Sequence, residues 1–325
     1  MLKEEIYIGN HKLNNRIVMP PMATSKSTPE GFITPELINW YKQTAVAGTG
    51  LIITEHAYIS DEGKASPNQV SVSKEEDIEG LRKLADEIHN CSDTKIIVQI
   101  NHAGSLAKPD ASETAVIGPS AVVHPRRKDG MMPKEMNTDE IEKVIYDFVQ
   151  AAKRVQEAGF DGVEIHGAHG YLLNQFYSPI TNKRTDAYGG SLENRIKIHC
   201  QILDAVRKKT GNDFIISIRL GGVDYLEGGS TVEDAVKASV LFEKHSADII
   251  SVTGGLRGYI NPNDSAPGYF KDMSVPIKQA VKIPVLLTGG INTPEEAEAL
   301  LKEGCADLIG IGRAMLKDPE WSSRV

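Results

Sequence analysis

The stretch DGVEIHGAHGYLLNQFYSPITNKRTDAYGGSLENR, residues 161–195, decides how the rest of the chain is read. Residues 162–166 alternate like a short strand, and that strand ends in His166, with His169 three residues on and Tyr171 two further. Three polar rings therefore gather at one strand end. A loop rich in Asn, Thr, Tyr and Gly runs on to Gly190, and Ser191 is placed to cap a helix that carries Glu193, Asn194 and Arg195 in its first turn. Ordering so long a polar loop costs conformational entropy, which points to a function there. In a barrel of alternating strands and helices, this is the face on which active sites sit.

Working outward, the same strand, loop and helix unit recurs. Residues 4–18 (EIYIG, then KLNNRIV) predict a hairpin turning at Gly9 and Asn10. It leads into a buried strand at 16–19 that Pro20 and Pro21 stop, since neither has an amide to give a ladder. Further apolar strands are expected at 51–54, 95–100, 162–166, 214–220, 248–253, 284–288 and 306–311. Helical periodicity falls between them at 34–47, 75–89, 138–158 with Thr138 as cap, 191–209, 231–244, 276–281 and 293–303. Eight such units without a Pro/Ser-rich linker predict an α/β fold. It is a single (β/α)8 TIM barrel forming one domain over residues 1–325, with an N-terminal β-hairpin and a long excursion after strand 3. That excursion, residues 104–137, is too long for an ordinary connection and is expected to be a flap over the mouth. Its basic patch Arg126, Arg127 and Lys128 reads either as a solvated loop or as an attractor for a phosphorylated or acidic substrate.

Composition narrows the function. With 36 basic against 44 acidic residues the formal charge is −8, which argues against a nucleic-acid surface. No run of about twenty apolar residues is present, so no membrane span is expected. The opening MLKEEIYIGN is charged at once and has no apolar signal region, which makes the cytoplasm the expected location. Cys91, Cys200 and Cys305 lie too far apart for a metal-ligand or disulfide framework.

Several residues carry chemistry on their own account. In TGGI (288–291) and GIGR (310–313), glycines follow two consecutive buried strands and each pair precedes a helix. Glycine admits close backbone approach and helix-start amides point at anions, so a phosphate site competes with simple tight turning. Arg313 adds a cation that can grip a phosphate bidentately. Arg219 lies inside a strand, where an unpaired charge is costly. Either a structural ion pair or the anionic edge of a cofactor ring accounts for it. Gln99 on the third strand offers both an acceptor and donors to a heterocycle, and His102 is as well placed to act behind the site as in it. His166 and His169 can converge on one oxygen as donors. A metal is the competing reading and would need a third ligand such as His102, Glu164 or Glu55, none at a compelling spacing. Tyr171 is either a packed aromatic or a phenol that donates a proton.

IxxRIVMPPM near the N-terminus, VQINHAG, the central motif, the Arg219 strand and the closing TGGI and IGIGR together resemble the old yellow enzyme family of FMN-dependent NAD(P)H:flavin oxidoreductases. The match runs from about Asn15 to Pro319. The resemblance implies FMN held at the C-terminal mouth of one barrel, NADH or NADPH as electron donor, and reduction of the C=C bond of a small activated alkene. It further implies Gln99 and Arg219 on the flavin ring, the latter near N1 and O2, with Pro20, Pro21, Met22 and Ala23 along the ring beside N5. Gly289, Gly290, Gly312 and Arg313 fall at its phosphate. His166 and His169 fall on the substrate carbonyl, and Tyr171 is the proton donor to the alpha carbon.

The chain departs from the family pattern in places. Ala23 stands where Thr or Cys is usual and offers no polar atom to tune the flavin. Ser25 stands where one subgroup has a substrate-contacting tyrosine, which suggests a roomier or wetter substrate pocket. Arg324 is a weak counterpart of the C-terminal arginine with which that subgroup reaches a neighbouring subunit, so homo-oligomerisation stays open. The iron-sulfur cysteine cluster and second nucleotide-binding region of the larger 2-enoate and 2,4-dienoyl-CoA reductases are not in this sequence. Competing activities on the same FMN barrel are an NAD(P)H oxidase and an amine dehydrogenase. A flavin subunit relaying electrons to a protein, and a metal-dependent hydrolase, are the readings of other classes.

Overall fold

The computed structural model describes residues 1–108 and 115–325. β1 (Ile6–Ile8) and β2 (His11–Leu13) form the expected antiparallel hairpin, pairing Ile6 with Leu13 and Ile8 with His11. Eight parallel strands then close into a barrel: β3 (Ile17–Met19), β4 (Leu51–Tyr58), β5 (Lys95–Asn101), β8 (Gly162–Gly167), β9 (Ile215–Val223), β10 (Ile249–Gly254), β11 (Val285–Leu287) and β12 (Leu308–Gly310). The last pairs with the first through Ile309 and Ile17. The two remaining strands, β6 (Ile117–Gly118) and β7 (Lys134–Glu135), pair with each other inside the excursion.

Because side chains alternate along a strand, every second barrel residue points inward. The lowest inward layer is apolar: Val18, Leu51, Ile53, Ile97, Ile215, Ile249, Leu286 and Leu308 pack together with Ile8 and Leu13 of the hairpin. The hairpin is thus a plug that closes the bottom of the barrel. Two residues higher along the same strands the inward positions become polar, at Gln99, Ser217 and Ser251, all fully buried. The inside of the barrel is therefore divided into a dry floor and a polar layer beneath the mouth. Outward-facing strand residues pack on the surrounding helices in a separate, larger core.

Those helices are α1 (Pro35–Val46), α2 (Asp77–Cys91), α3 (Thr138–Glu157), α4 (Leu172–Tyr177), α5 (Leu192–Arg195), α6 (Lys197–Thr210), α7 (Val232–Lys244), α8 (Lys271–Ala280), α9 (Pro294–Lys302) and α10 (Arg313–Lys317). Ser191 caps α5 as expected, its side chain accepting from the Asn194 amide. Four local readings are corrected. Asn137, not Thr138, caps α3, through a reciprocal box with Glu140. The helix expected over 191–209 is broken at Ile196 into α5 and α6. The six-residue α4 forms inside what reads as loop. Pro276, read as a helix start, lies within α8. Proline there removes only the amide that would reach back to Asp272, in the first turn.

The excursion does not act as a flap in its described part; residues 109–114 lie outside the described residues. None of its described residues lines the cavity at the mouth. It braces the connection after β8 instead: the buried Arg184 donates to the carbonyls of Pro119 and Met136, and Lys183 N–H donates to Ser120. Among the described residues no helix is long and apolar enough to cross a membrane.

Candidate active site

A cavity of about 420 Å³ opens at the C-terminal mouth of the barrel. That size lies within the range of small-molecule and cofactor pockets. Its wall gathers residues from all parts of the chain: Pro20, Pro21, Met22 and Ala23 after β3, Gln99 on β5, His166, His169 and Tyr171 at the end of β8, and Arg219 on β9. Gly289 and Gly290 after β11, and Gly312 and Arg313 after β12, complete it. Ser25 is exposed, at φ 58°, and is not part of the wall. His102 is not either; its Nδ1 accepts from the Gly104 amide, and its ring faces Gly63.

β8 sets the first group. Glu164 and His166 share its inward face, and residues 168–171 form a tight turn in which His169 adopts φ 56° and Gly170 φ 71°. A left-handed histidine is uncommon. Here the turn is held by the Arg126 guanidinium donating to the His169 carbonyl at 2.8 Å and by the Asn174 side chain accepting from the Gly170 amide at 2.7 Å. The rings of His166 and His169 consequently meet edge to face at 5.2 Å, and Tyr171 meets His166 at 5.1 Å. His166 Nδ1 accepts from the Ala168 amide, so the neutral ring carries its hydrogen on Nε2. His169 Nε2 lies 3.0 Å from the Thr253 hydroxyl. Burial, helped by neighbouring positive charge, holds both imidazoles well below the usual histidine range, and burial raises the Tyr171 phenol. All three are neutral hydrogen-bond donors at pH 7.

The second group is a buried charge layer. Register places Gln99 beside Glu164, Glu164 beside Ser217 and His166 beside Arg219. Gln99 Nε2 donates to Glu164 Oε1 at 2.8 Å and Ser217 Oγ to Oε2 at 2.9 Å, while Arg219 Nη1 stands 3.8 Å from the same carboxylate. Arg219 is a member of this ion pair and also lines the cavity. Its Nε and Nη1 have no hydrogen-bond partner among the described residues.

The third group is the glycine rim. Gly289 and Gly290 sit at φ 115° and 69°, and a side chain at either would strike the Tyr269 ring. Arg313 is exposed at the start of α10. The wall described here contains no carboxylate, although Arg219 and Arg313 are both in it. Of the residues that a metal would have required, Glu164 is occupied as above, and Glu55 is held by Thr24 through its hydroxyl and amide. The basic patch is tied down as well: Arg127 donates to the carbonyls of Ser105 and Ala107 and pairs with Asp129.

Nothing in the sequence singled out His56, Thr253, Tyr259 or Tyr269 as parts of this site, and Glu164 stood only as a possible metal ligand. Glu164 had a signal, an acid two residues before His166 on a strand whose neighbour carries Arg219. Tyr259 and Tyr269 come from the loop after β10, which has no periodicity to place them.

Residues 2–325 match the sequence profile of a family described as NADH:flavin oxidoreductase / NADH oxidase. An NADH oxidase of Thermoanaerobacter brockii is 37% identical over 323 residues, which is 98% of this chain and 49% of that protein. The chain thus spans about half the length of that relative. An NADPH dehydrogenase of Halalkalibacterium halodurans is 36% identical over 95% of this chain and 89% of its own. Among solved structures, a 2-naphthoyl-CoA reductase bound to 2-naphthoyl-CoA superposes with a TM-score of 0.93 at 29% identity, over 99% of this chain and 51% of that one.

Proposed function

The chain belongs to the NADH:flavin oxidoreductase / NADH oxidase family, the old yellow enzymes, and on that premise we propose that it reduces the activated C=C bond of an enone, enal or 2-enoate with electrons from NADH or NADPH. The family's cofactor is FMN, and the residues present fit it. Arg219 offers two unpartnered buried N–H groups to the polar edge of a ring. Gln99 lines the same cavity across Glu164 from it, and Pro20, Pro21, Met22 and Ala23 offer an apolar wall. The rim of Gly289, Gly290, Gly312 and the cationic Arg313 suits a phosphate. Held there, FMN would supply the hydride chemistry that links the nicotinamide to the alkene.

The chain's own residues would do the rest. His166 and His169 donate to the substrate carbonyl oxygen and so stabilise the negative charge that builds there as the beta carbon is reduced. Tyr171, kept protonated by burial, gives a proton to the alpha carbon. Arg219 supplies a fixed positive charge, and the apolar wall from Pro20 to Met22 limits water. The observation that carries this reading is the convergence of a neutral imidazole and a neutral phenol, His169 and Tyr171, at 5.2 and 5.1 Å from the neutral His166 ring, on a wall without carboxylates.

Replacing Tyr171 by Phe tests it. In rapid-mixing experiments the step that reoxidises the reduced enzyme with an enone should slow by roughly 100-fold or more, the range for loss of a general acid. Reduction by NADPH should slow far less. Equal slowing of both steps, or of neither, contradicts the proton-donor assignment.

A further inference from the structure

His56 stands in the wall of the same cavity, and its neighbours determine how it stands. The register of β4 shifts between Thr54 and Ala57, a bulge that turns Glu55 toward Thr24 and leaves His56 facing in. Its ring lies nearly parallel to that of Tyr171, with centroids 5.6 Å apart and planes at 24°, and it sits 6.3 Å from the His166 ring.

The position of its hydrogen follows from a chain of hydrogen bonds with one solution. The Ala65 amide can only donate, and it donates to Gln69 Oε1 at 2.6 Å. The nitrogen end of the buried Gln69 amide is therefore the end that meets His56 Nδ1, at 2.9 Å, with the Asn101 amide nitrogen 3.5 Å from the same atom. Nδ1 accepts, so the neutral ring carries its hydrogen on Nε2. Burial keeps the ring neutral, with its pKa lowered to about 4. Neither Gln69 nor Asn101 lines the cavity, whereas His56 does, which leaves the Nε2 edge on the cavity side.

We propose that His56 Nε2–H is a third donor to the substrate, beside His166 and His169, and that it fits this site to alkenes conjugated to a carboxylate rather than to a ketone. The inference rests on the alkene-reductase reading of the cavity. A ketone presents one oxygen, which two imidazoles can satisfy. A carboxylate presents two, and it already bears one negative charge before hydride addition at the beta carbon places a second on it, so it needs more donors than the pair supplies. No acid stands in the described wall to repel an anionic substrate. A methyl ketone would set a methyl group where the carboxylate sets its second oxygen, leaving the His56 N–H unpaired.

The test uses the FMN-loaded enzyme reduced anaerobically with NADPH and mixed with crotonate or with its methyl-ketone counterpart, 3-penten-2-one. The ratio of their second-order rate constants, crotonate over ketone, should fall roughly 10- to 100-fold in His56→Phe, as for a lost hydrogen bond to a charged group. His56→Gln, which can still present an N–H, should recover part of it. Titration of the oxidised enzyme with butanoate, followed by the flavin spectrum, should show weaker binding by a similar factor in His56→Phe. A ratio that does not move in either variant, or a wild type that prefers the ketone, overturns the inference alone. A wild type reoxidised by neither compound overturns the reductase reading and this inference with it.

Discussion

Glu164 shows how a single residue shapes the site without entering the cavity wall. Its carboxylate has no solvent exposure and lies under Gln99 and beside Arg219. Burial pushes its pKa up, opposed by the Arg219 charge and the bonds from Ser217 and Gln99. As the carboxylate that Gln99 and Ser217 donate to and that faces Arg219, it offsets part of the Arg219 charge, so on the proposed placement of the flavin it makes reduction harder. Glu164→Gln should therefore raise the midpoint potential of the bound flavin by roughly 30 mV or more, about 1.4 kcal/mol for a two-electron couple. An unchanged or lowered potential in spectroelectrochemical titration contradicts that role. At this scale His166, His169 and Tyr171 were legible as a group because six residues of one connection contain all three. The role of Glu164 and the presence of His56 were not, because the partners that define them, Arg219 and Gln69, become neighbours only through strand register and a bulge.

Among the elements, the clearest sequence signals were those with a repeating pattern and a chemical stop. α1 begins after Thr34, whose side chain accepts from the Leu37 amide, with Pro35 in the first turn, and α7 and α9 begin with capping boxes at Thr231 and Thr293. α4 carried no such signal: all six of its residues, Asn174 and Gln175 included, are buried, so it has no solvent-exposed face to give a period. The excursion misled for a different reason. Length alone suggested a flap, whereas Arg184, reaching its carbonyls from far along the chain, makes it a brace.

α6 carries a cost of its own. His199 is fully buried, stacked on Phe242 at 5.5 Å, with both ring nitrogens unpartnered among the described residues. Its pKa is lowered to about 3, so below pH 6.5 the unfolded chain binds a proton that the folded one refuses. Stability from this residue is thus present above pH 6.5 and lost as pH falls toward 3. His199→Phe should remove that loss. The stability of the variant relative to wild type should grow by about 2 kcal/mol between pH 7 and pH 5 in denaturant titrations. A difference that stays constant with pH contradicts the neutral, buried histidine.

For the molecule as a whole, alternation along each strand builds an apolar floor sealed by the hairpin, a polar layer of Gln99, Glu164, Ser217 and Ser251 above it, and a cavity on top. The barrel was legible because eight apolar runs alternate with helical ones. The full cavity wall was not, because the loop after β10 supplies Tyr259 and Tyr269 from a segment without period. The central claim, that electrons enter this cavity from a nicotinamide and leave to an activated alkene, is tested most directly by one anaerobic spectrum. The purified protein should show a flavin band that bleaches with NADH or NADPH and returns on adding an enone or 2-enoate. A band that bleaches but is restored only by oxygen or a protein acceptor contradicts alkene reduction, and a protein that binds no flavin contradicts the assignment of Gln99, Arg219 and Arg313.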